Sequence, residues 1–397
     1  MSKKKVLFTI GRFIGVLLTP TFIYLINRFY SINDAEGLIN LFVWTVFILP
    51  ILNNDCYTDY YKEKFEYQKA SLKLGNCLHQ YIQSFLNHML LSIIPMIIIL
   101  LVFQKSILFI SILLIHVIGE KFLDEVLRFQ IFSKKYFYWL KLFFIRYLFV
   151  ILLSFFLYYF NNYDLIFNYI AAYITIYLTH ILLSRKEIYR VLKIALKSIN
   201  FTRYIKQYKV NLFKLHALNY LSANILVVDK LIIYEVVATP IVTTQIYFTA
   251  QIANSLNLIA DNLFLVFKRP EYLKIYKNIR DLLTNKYLQI LSISFLAIAT
   301  VTFILQDFIV EINFNYFLLI ITYYLIYSLG QPIQQNLFWV TNRNILILIE
   351  AGYYLLIGIA ALSLFKTSIY IFLLLVLLLM AIRFTAMGVY LKMRNEI

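Results

Sequence analysis

Residues 89–103 read MLLSIIPMIIILLVF, a run with no charged residue and no alternation of apolar and polar positions. A strand of a membrane barrel would alternate over about ten residues, and this run does not. A helix on the surface of a soluble domain would keep one polar face, and here apolar side chains point in every direction. A helix surrounded by hydrocarbon remains, because in lipid a segment must satisfy its own backbone hydrogen bonds. Residues 369–382, IYIFLLLVLLLMAI, repeat the pattern near the other end of the chain.

Composition extends this reading to the whole sequence. Of 397 residues, 62% are hydrophobic and 14% charged, whereas soluble domains carry about 25% charged residues. Apolar runs separated by polar breaks predict an all-α polytopic membrane protein with about twelve transmembrane helices. The expected spans are 6–26, 36–52, 81–103, 106–130, 137–160, 163–183, 213–237, 240–267, 287–306, 313–335, 344–364 and 368–391. The first run follows Lys3-Lys4-Lys5, lacks a small-residue cleavage site and exceeds a signal-peptide core, so it reads as a retained helix. With odd helices running outward, Lys and Arg concentrate in the inner segments, and only Arg28, Lys105 and Lys366 fall outside. That asymmetry puts both termini in the cytoplasm and the chain in the cytoplasmic (inner) membrane as a multi-pass protein. Cys56 and Cys77 share one inner polar segment, where reduced thiols are expected.

The net charge of +17 thus serves orientation, not nucleic acid, whose recognition would need a soluble basic face. The basic stretch 184–212 carries Arg185, Lys186, Arg190, Lys193, Lys197, Arg203, Lys206 and Lys209. Its Ile188, Val191, Leu192, Ile194 and Ala195 would form the apolar face of a helix on the anionic inner leaflet. This linker falls between helices six and seven and divides the chain into two six-helix halves, 1–183 and 213–397. Repeated halves are common in transporters, with the pathway between them.

Enzymatic chemistry is not expected. The glycines are scattered with no phosphate-binding loop, so ATP hydrolysis is not read here. His79, His88, His116, His180 and His216 show no metal-ligand spacing, and neither a metal nor a cofactor is expected. No outward loop exceeds about ten residues on this topology, which leaves no room for the catalytic loops of a glycan polymerase or membrane glycosyltransferase.

Ionisable residues inside the spans are the sharper signal, since they are expensive in lipid. Arg12, Arg146, Asp229, Lys230, Asp261, Glu350 and Arg383 lie within them. Arg146 sits about 13 Å into its span at 1.5 Å per residue, too deep for easy snorkelling, and Asp229 lies near the midplane. For Arg12 and Arg383, snorkelling to the inner side competes with a pathway role. Helix four ends in Glu120-Lys121-Phe122-Leu123-Asp124-Glu125 and Arg128, with charges paired at i,i+4. Two readings stay open there, a self-neutralising network and a gate or proton-sensitive site. His116 and His180, inside spans, are further candidates for protonation.

Three segments carry a resemblance. Val228-Asp229-Lys230-Leu231-Ile232-Ile233 is followed by Ile246-Tyr247-Phe248-Thr249-Ala250-Gln251-Ile252 and then Lys268-Arg269-Pro270. Gly11-Arg12 and Ala35-Glu36-Gly37 open the chain, and Gly330-Gln331-Pro332 leads to Asn342-Arg343-Asn344. These resemble the Wzx-type polysaccharide flippases of the multidrug/oligosaccharidyl-lipid/polysaccharide exporter superfamily. The chain departs from that pattern at Thr243-Thr244-Gln245, where the family often has glycine, and is short for it. The resemblance implies transfer of a polyprenyl-diphosphate-linked oligosaccharide from the inner to the outer leaflet. Arg12, Arg146, Lys230 and Arg383 would then compensate the diphosphate, and Asp229, Glu350, Glu120, Asp124 or Glu125 would couple transport to an H+ or Na+ gradient. Membrane lipid and the anionic lipid-linked glycan would be the partners. A small-molecule or drug exporter on the same scaffold is the alternative.

Overall fold

The computed structural model describes residues 32–52, 71–132, 136–161, 164–186, 314–340, 343–364 and 368–395, together with 246–254, 291–300 and a few isolated positions. Every regular element among the described residues is helical. They are α1 (Ile32–Ile48), α2 (Ser71–Val102), α3 (Ile107–Phe132), α4 (Tyr136–Phe144), α5 (Val150–Asn161), α6 (Leu165–Leu183), α7 (Phe314–Val340), α8 (Arg343–Leu364) and α9 (Ile369–Asn395). A 3-10 turn, Leu49–Leu52, ends α1 at Pro50, which has no N–H to continue an α-helix.

Helices occupy the expected spans from 36 to 183 and from 313 to 391, with two local differences. The helix expected to begin at 81 begins ten residues earlier, at Ser71, and takes in Cys77. Hydropathy marks only the part of a helix that lipid favours, and the polar Ser71–Gln80 stretch has no proline to stop the helix before it. The span expected at 137–160 is interrupted by a π turn, Ile145–Phe149, between α4 and α5. Spans 6–26 and 213–237 lie essentially outside the described residues, while 246–254 and 291–300 are helical within two others.

Among the described residues, five stretches are long and apolar enough to cross a membrane: Phe85–Val102, Leu140–Phe160, Leu165–Leu183, Asn344–Ser363 and Ile369–Tyr390. The surface they present is inverted relative to a water-soluble protein. On α8, Leu348, Leu355, Ile359 and Leu362 are exposed while Glu350 is buried. On α9, Ile371, Leu374, Leu378 and Ile382 are exposed while Arg383 is buried. Water would reverse both choices, and hydrocarbon favours them. This is a helical membrane protein.

The turn between α2 and α3 shows how little chain such a protein spends between spans. Gln104 adopts a left-handed conformation, φ 53°. Its N–H donates to the Leu101 carbonyl at 2.9 Å, and the Lys105 N–H donates to Leu100 at 3.1 Å. These bonds satisfy the carbonyls left open at a helix end. Ser106 then opens α3, its Oγ accepting from the Phe109 N–H at 3.2 Å. The Lys105 ammonium rests 5.1 Å from the centre of the Trp44 ring, a cation–π contact.

The chain divides into two compact units, Leu41–Asn224, and Met1–Asn40 with Ile225–Ile397. In the first, α3 packs against α2, α4 and α6, and the π turn and α5 lie along α6. In the second, α9 packs against both α7 and α8. Gly330 of α7 permits that contact, because a Cβ there would collide with the Phe384 ring of α9.

Candidate functional site

Among the described residues, each unit holds one buried guanidinium paired with carboxylate. In the unit Leu41–Asn224, the π turn presents Arg146 toward α3. A π turn inserts one extra residue per turn and rotates the side chains that follow, and such turns recur at functional sites. Arg146 forms ion pairs with Glu120, and with Asp124 through Nη1 donating to Oδ1 at 2.9 Å. Glu120 and Asp124 stand one turn apart on α3 and so share the face that receives Arg146. The side chains are unequally shielded: Arg146 is 2% exposed, Glu120 16% and Asp124 35%.

His116, one turn before Glu120, continues this strip. Its Nδ1 meets Thr45 Oγ1 at 2.9 Å and its Nε2 meets Tyr169 Oη at 3.0 Å. Glu120 Oε1 lies 4.0 Å from the same Nε2. From α6, Tyr173 donates to the His116 carbonyl at 3.4 Å, and its ring lies edge-on to the imidazole at 4.6 Å. Gly119 makes this approach possible, since a Cβ there would stand 2.9 Å from Tyr173 Oη. Tyr169, Tyr173, Tyr177 and His180 recur at helical spacing and form one stripe of α6, in which Tyr169–Tyr173 and Tyr173–Tyr177 stack. His180 is fully buried, and neither ring nitrogen has a hydrogen-bond partner among the described residues.

The second unit holds a different arrangement. Arg383 of α9 grips Glu350 of α8 with two bonds, Nε to Oε2 at 2.9 Å and Nη2 to Oε1 at 2.6 Å. Gln334 of α7 donates to Glu350 Oε1 at 3.4 Å. The guanidinium lies 4.5 Å from the Phe384 ring centre and 5.9 Å from that of Tyr353. Three helices are thus tied at one buried point. A bidentate guanidinium–carboxylate pair is geometrically specific as well as strong.

Of the residues singled out in the sequence, Arg146, Glu120 and Asp124 come together, and so do Arg383 and Glu350. Arg146 from the neighbouring π turn joins the helix-four charges at Glu120 and Asp124. Arg383 does not snorkel, because its guanidinium is held inside by Glu350. Glu125 lies on α3 with its side chain outside the described residues, and Arg12, Asp229 and Lys230 lie wholly outside them. Sequence reading missed Thr45, Tyr169, Tyr173 and Gln334. The 169-173-177-180 spacing was a usable signal for the α6 stripe, whereas nothing in the sequence pairs Thr45 with a histidine 71 positions away. Among the described residues no group of three or more His, Cys, Asp or Glu could hold a metal ion. No protein-family model, curated protein or solved structure matches this chain.

Proposed function

We propose that this chain is a membrane transporter that moves a polyprenyl-diphosphate-linked oligosaccharide from the inner to the outer leaflet of the cytoplasmic membrane. It works by alternating access and is coupled to an ion gradient. About twelve spans with cytoplasmic termini, and two six-helix halves, belong to this reading. The observation that supports it most is the Arg146–Glu120–Asp124 cluster. Charged groups cost free energy inside a membrane and persist where they line a polar route or switch one. An arginine suits a diphosphate through bidentate hydrogen bonds, and acidic partners supply the groups that a driving cation would neutralise. The chain does no covalent chemistry in this scheme. The glycan crosses in water while its lipid tail stays in the bilayer.

Deleting the gene tests the reading. Lipid-linked repeat units should accumulate on the inner leaflet, and surface glycan should fall and return on complementation with the wild-type chain. Unchanged glycan export together with increased sensitivity to small toxic compounds would replace the flippase with a drug exporter. Arg146→Ala and Asp229→Ala chains that export glycan normally at normal expression would remove those residues from the mechanism.

A further inference from the structure

Arg146 poses a problem for an anion transporter. Its guanidinium is already held by Glu120 and Asp124, so an incoming oxyanion would meet two carboxylates before it met a cation. We propose that proton uptake on the Glu120–His116 pair unlocks Arg146, so that the unit Leu41–Asn224 binds a phosphate- or sulfate-class oxyanion only when it is protonated. The role of this switch in glycan transport rests on the proposed function, whereas the binding itself does not.

The geometry supplies the parts. The His116 Nε2 stands 4.0 Å from Glu120 Oε1, so the imidazole borders the carboxylate that takes up the proton. The two ring nitrogens otherwise face hydroxyls, Thr45 Oγ1 and Tyr169 Oη. A hydroxyl both donates and accepts, so this cradle accommodates either neutral tautomer and the imidazolium without moving a helix. A proton on Glu120 cancels the charge that holds the guanidinium and so loosens the pair. Asp124 is the most exposed member of the group, whereas Arg146 is buried.

Arg146 cannot simply be left free. A buried guanidinium stripped of its carboxylate is strongly unfavourable, so the oxyanion replaces Glu120 as partner. Proton uptake and oxyanion binding are therefore linked, each favouring the other by the same factor. Among the described residues, the titratable and charged groups around the pair are Lys121 and Asp124 on α3, Arg146 and Tyr147 on the π turn, and Tyr169, Tyr173, Tyr177 and His180 on α6. Among these His180 is the other imidazole, and it serves as the control.

The test uses the full chain in nanodiscs of uncharged lipid and radiolabelled sulfate, whose own charge is constant from pH 5 to pH 8. Wild-type affinity should rise as pH falls, by about tenfold per pH unit where one proton is linked. E120Q/D124N should bind at pH 8 more tightly than wild type and with no pH dependence. E120Q alone should move the same way and serves if the double variant does not fold. R146Q should bind no more than empty nanodiscs, while H180N should keep the wild-type pH profile. A flat wild-type profile overturns the proposal. So does a folded E120Q chain that binds like wild type at pH 8, or loss of the pH dependence in H180N instead. Farnesyl diphosphate competing at lower concentration than inorganic diphosphate supports a lipid headgroup as the natural oxyanion, and equal competition supports a free one. If the switch operates in a chain whose deletion leaves lipid-linked glycan undisturbed, the site stands and the flippase reading falls.

Discussion

Removing one partner of the Glu350–Arg383 pair should cost far more than removing both. Each side chain is almost wholly inaccessible, and two hydrogen bonds of 2.6 and 2.9 Å join them. Glu350→Ala strands a guanidinium among Phe384, Tyr353 and Met380, and Arg383→Ala leaves a buried carboxylate without its counter-ion, beside Gln334. Breaking a buried pair from one side costs about 3–5 kcal/mol. At 1.36 kcal/mol per decade that is about two to four decades in the unfolding equilibrium constant. Replacing both with apolar residues of similar volume, Glu350→Leu with Arg383→Met, removes the desolvation cost together with the attraction. The double variant should lie within about 2 kcal/mol of wild type, because such exchanges are often neutral or better.

The assay is a double-mutant cycle on the purified chain in mixed micelles, unfolded by increasing the fraction of denaturing detergent. Both single-residue changes should shift the transition strongly, and the double variant should recover most of the loss. A coupling energy below about 1 kcal/mol would place this pair with exposed ion pairs and refute the reasoning. A double variant that is stable but inactive would show that the pair is retained for function and not for folding.

Four smaller changes probe the frame. Gly330→Ala forces a Cβ into the Phe384 ring, while Gly358 on α8 has open space around it. The first should cost about 1–3 kcal/mol by overpacking, and Gly358→Ala should be neutral or gain up to about 1 kcal/mol, read as opposite shifts in thermal melting. Gln104→Gly removes a side chain from a left-handed position and should stabilise the chain by about 0.5–1 kcal/mol, seen as a higher melting temperature. His88 contacts the Ile51 carbonyl at 3.0 Å in a buried setting. His88→Ala should lose about 1–3 kcal/mol, measured by the same detergent titration.

The helices were legible because lipid imposes one rule on every residue of a span, and runs such as 89–103 obey it without exception. Features decided by single residues were less legible. The π turn at Ile145–Phe149 has no hydropathy signature, since shifting one hydrogen-bond register changes no residue's polarity. The start of α2 at Ser71 escaped for the opposite reason, because a helix can continue through polar sequence where nothing stops it. Arg146 and Glu120 were each conspicuous as charges in apolar surroundings. Their partnership joins positions 26 residues apart through a turn that sequence does not display.

Pairing also alters what those charges imply. A guanidinium read alone looks like a standing site for an anion, and four of them would make a basic pathway. Arg383 is instead held by Glu350, the one carboxylate paired with it among the described residues, between positions that leave neither side chain exposed, so its charge is cancelled where it stands. Arg146 is shared by two carboxylates, one of them about a third exposed and the other within reach of an imidazole. On the proposed switch only the second arrangement changes its charge without unfolding, because one acid of that network, Asp124, is about a third exposed whereas Glu350 is fully buried. The same chemistry, arginine with carboxylate, thus acts as a fastener in one unit and is poised as a switch in the other. What separates them is access for a proton, not the identity of the residues.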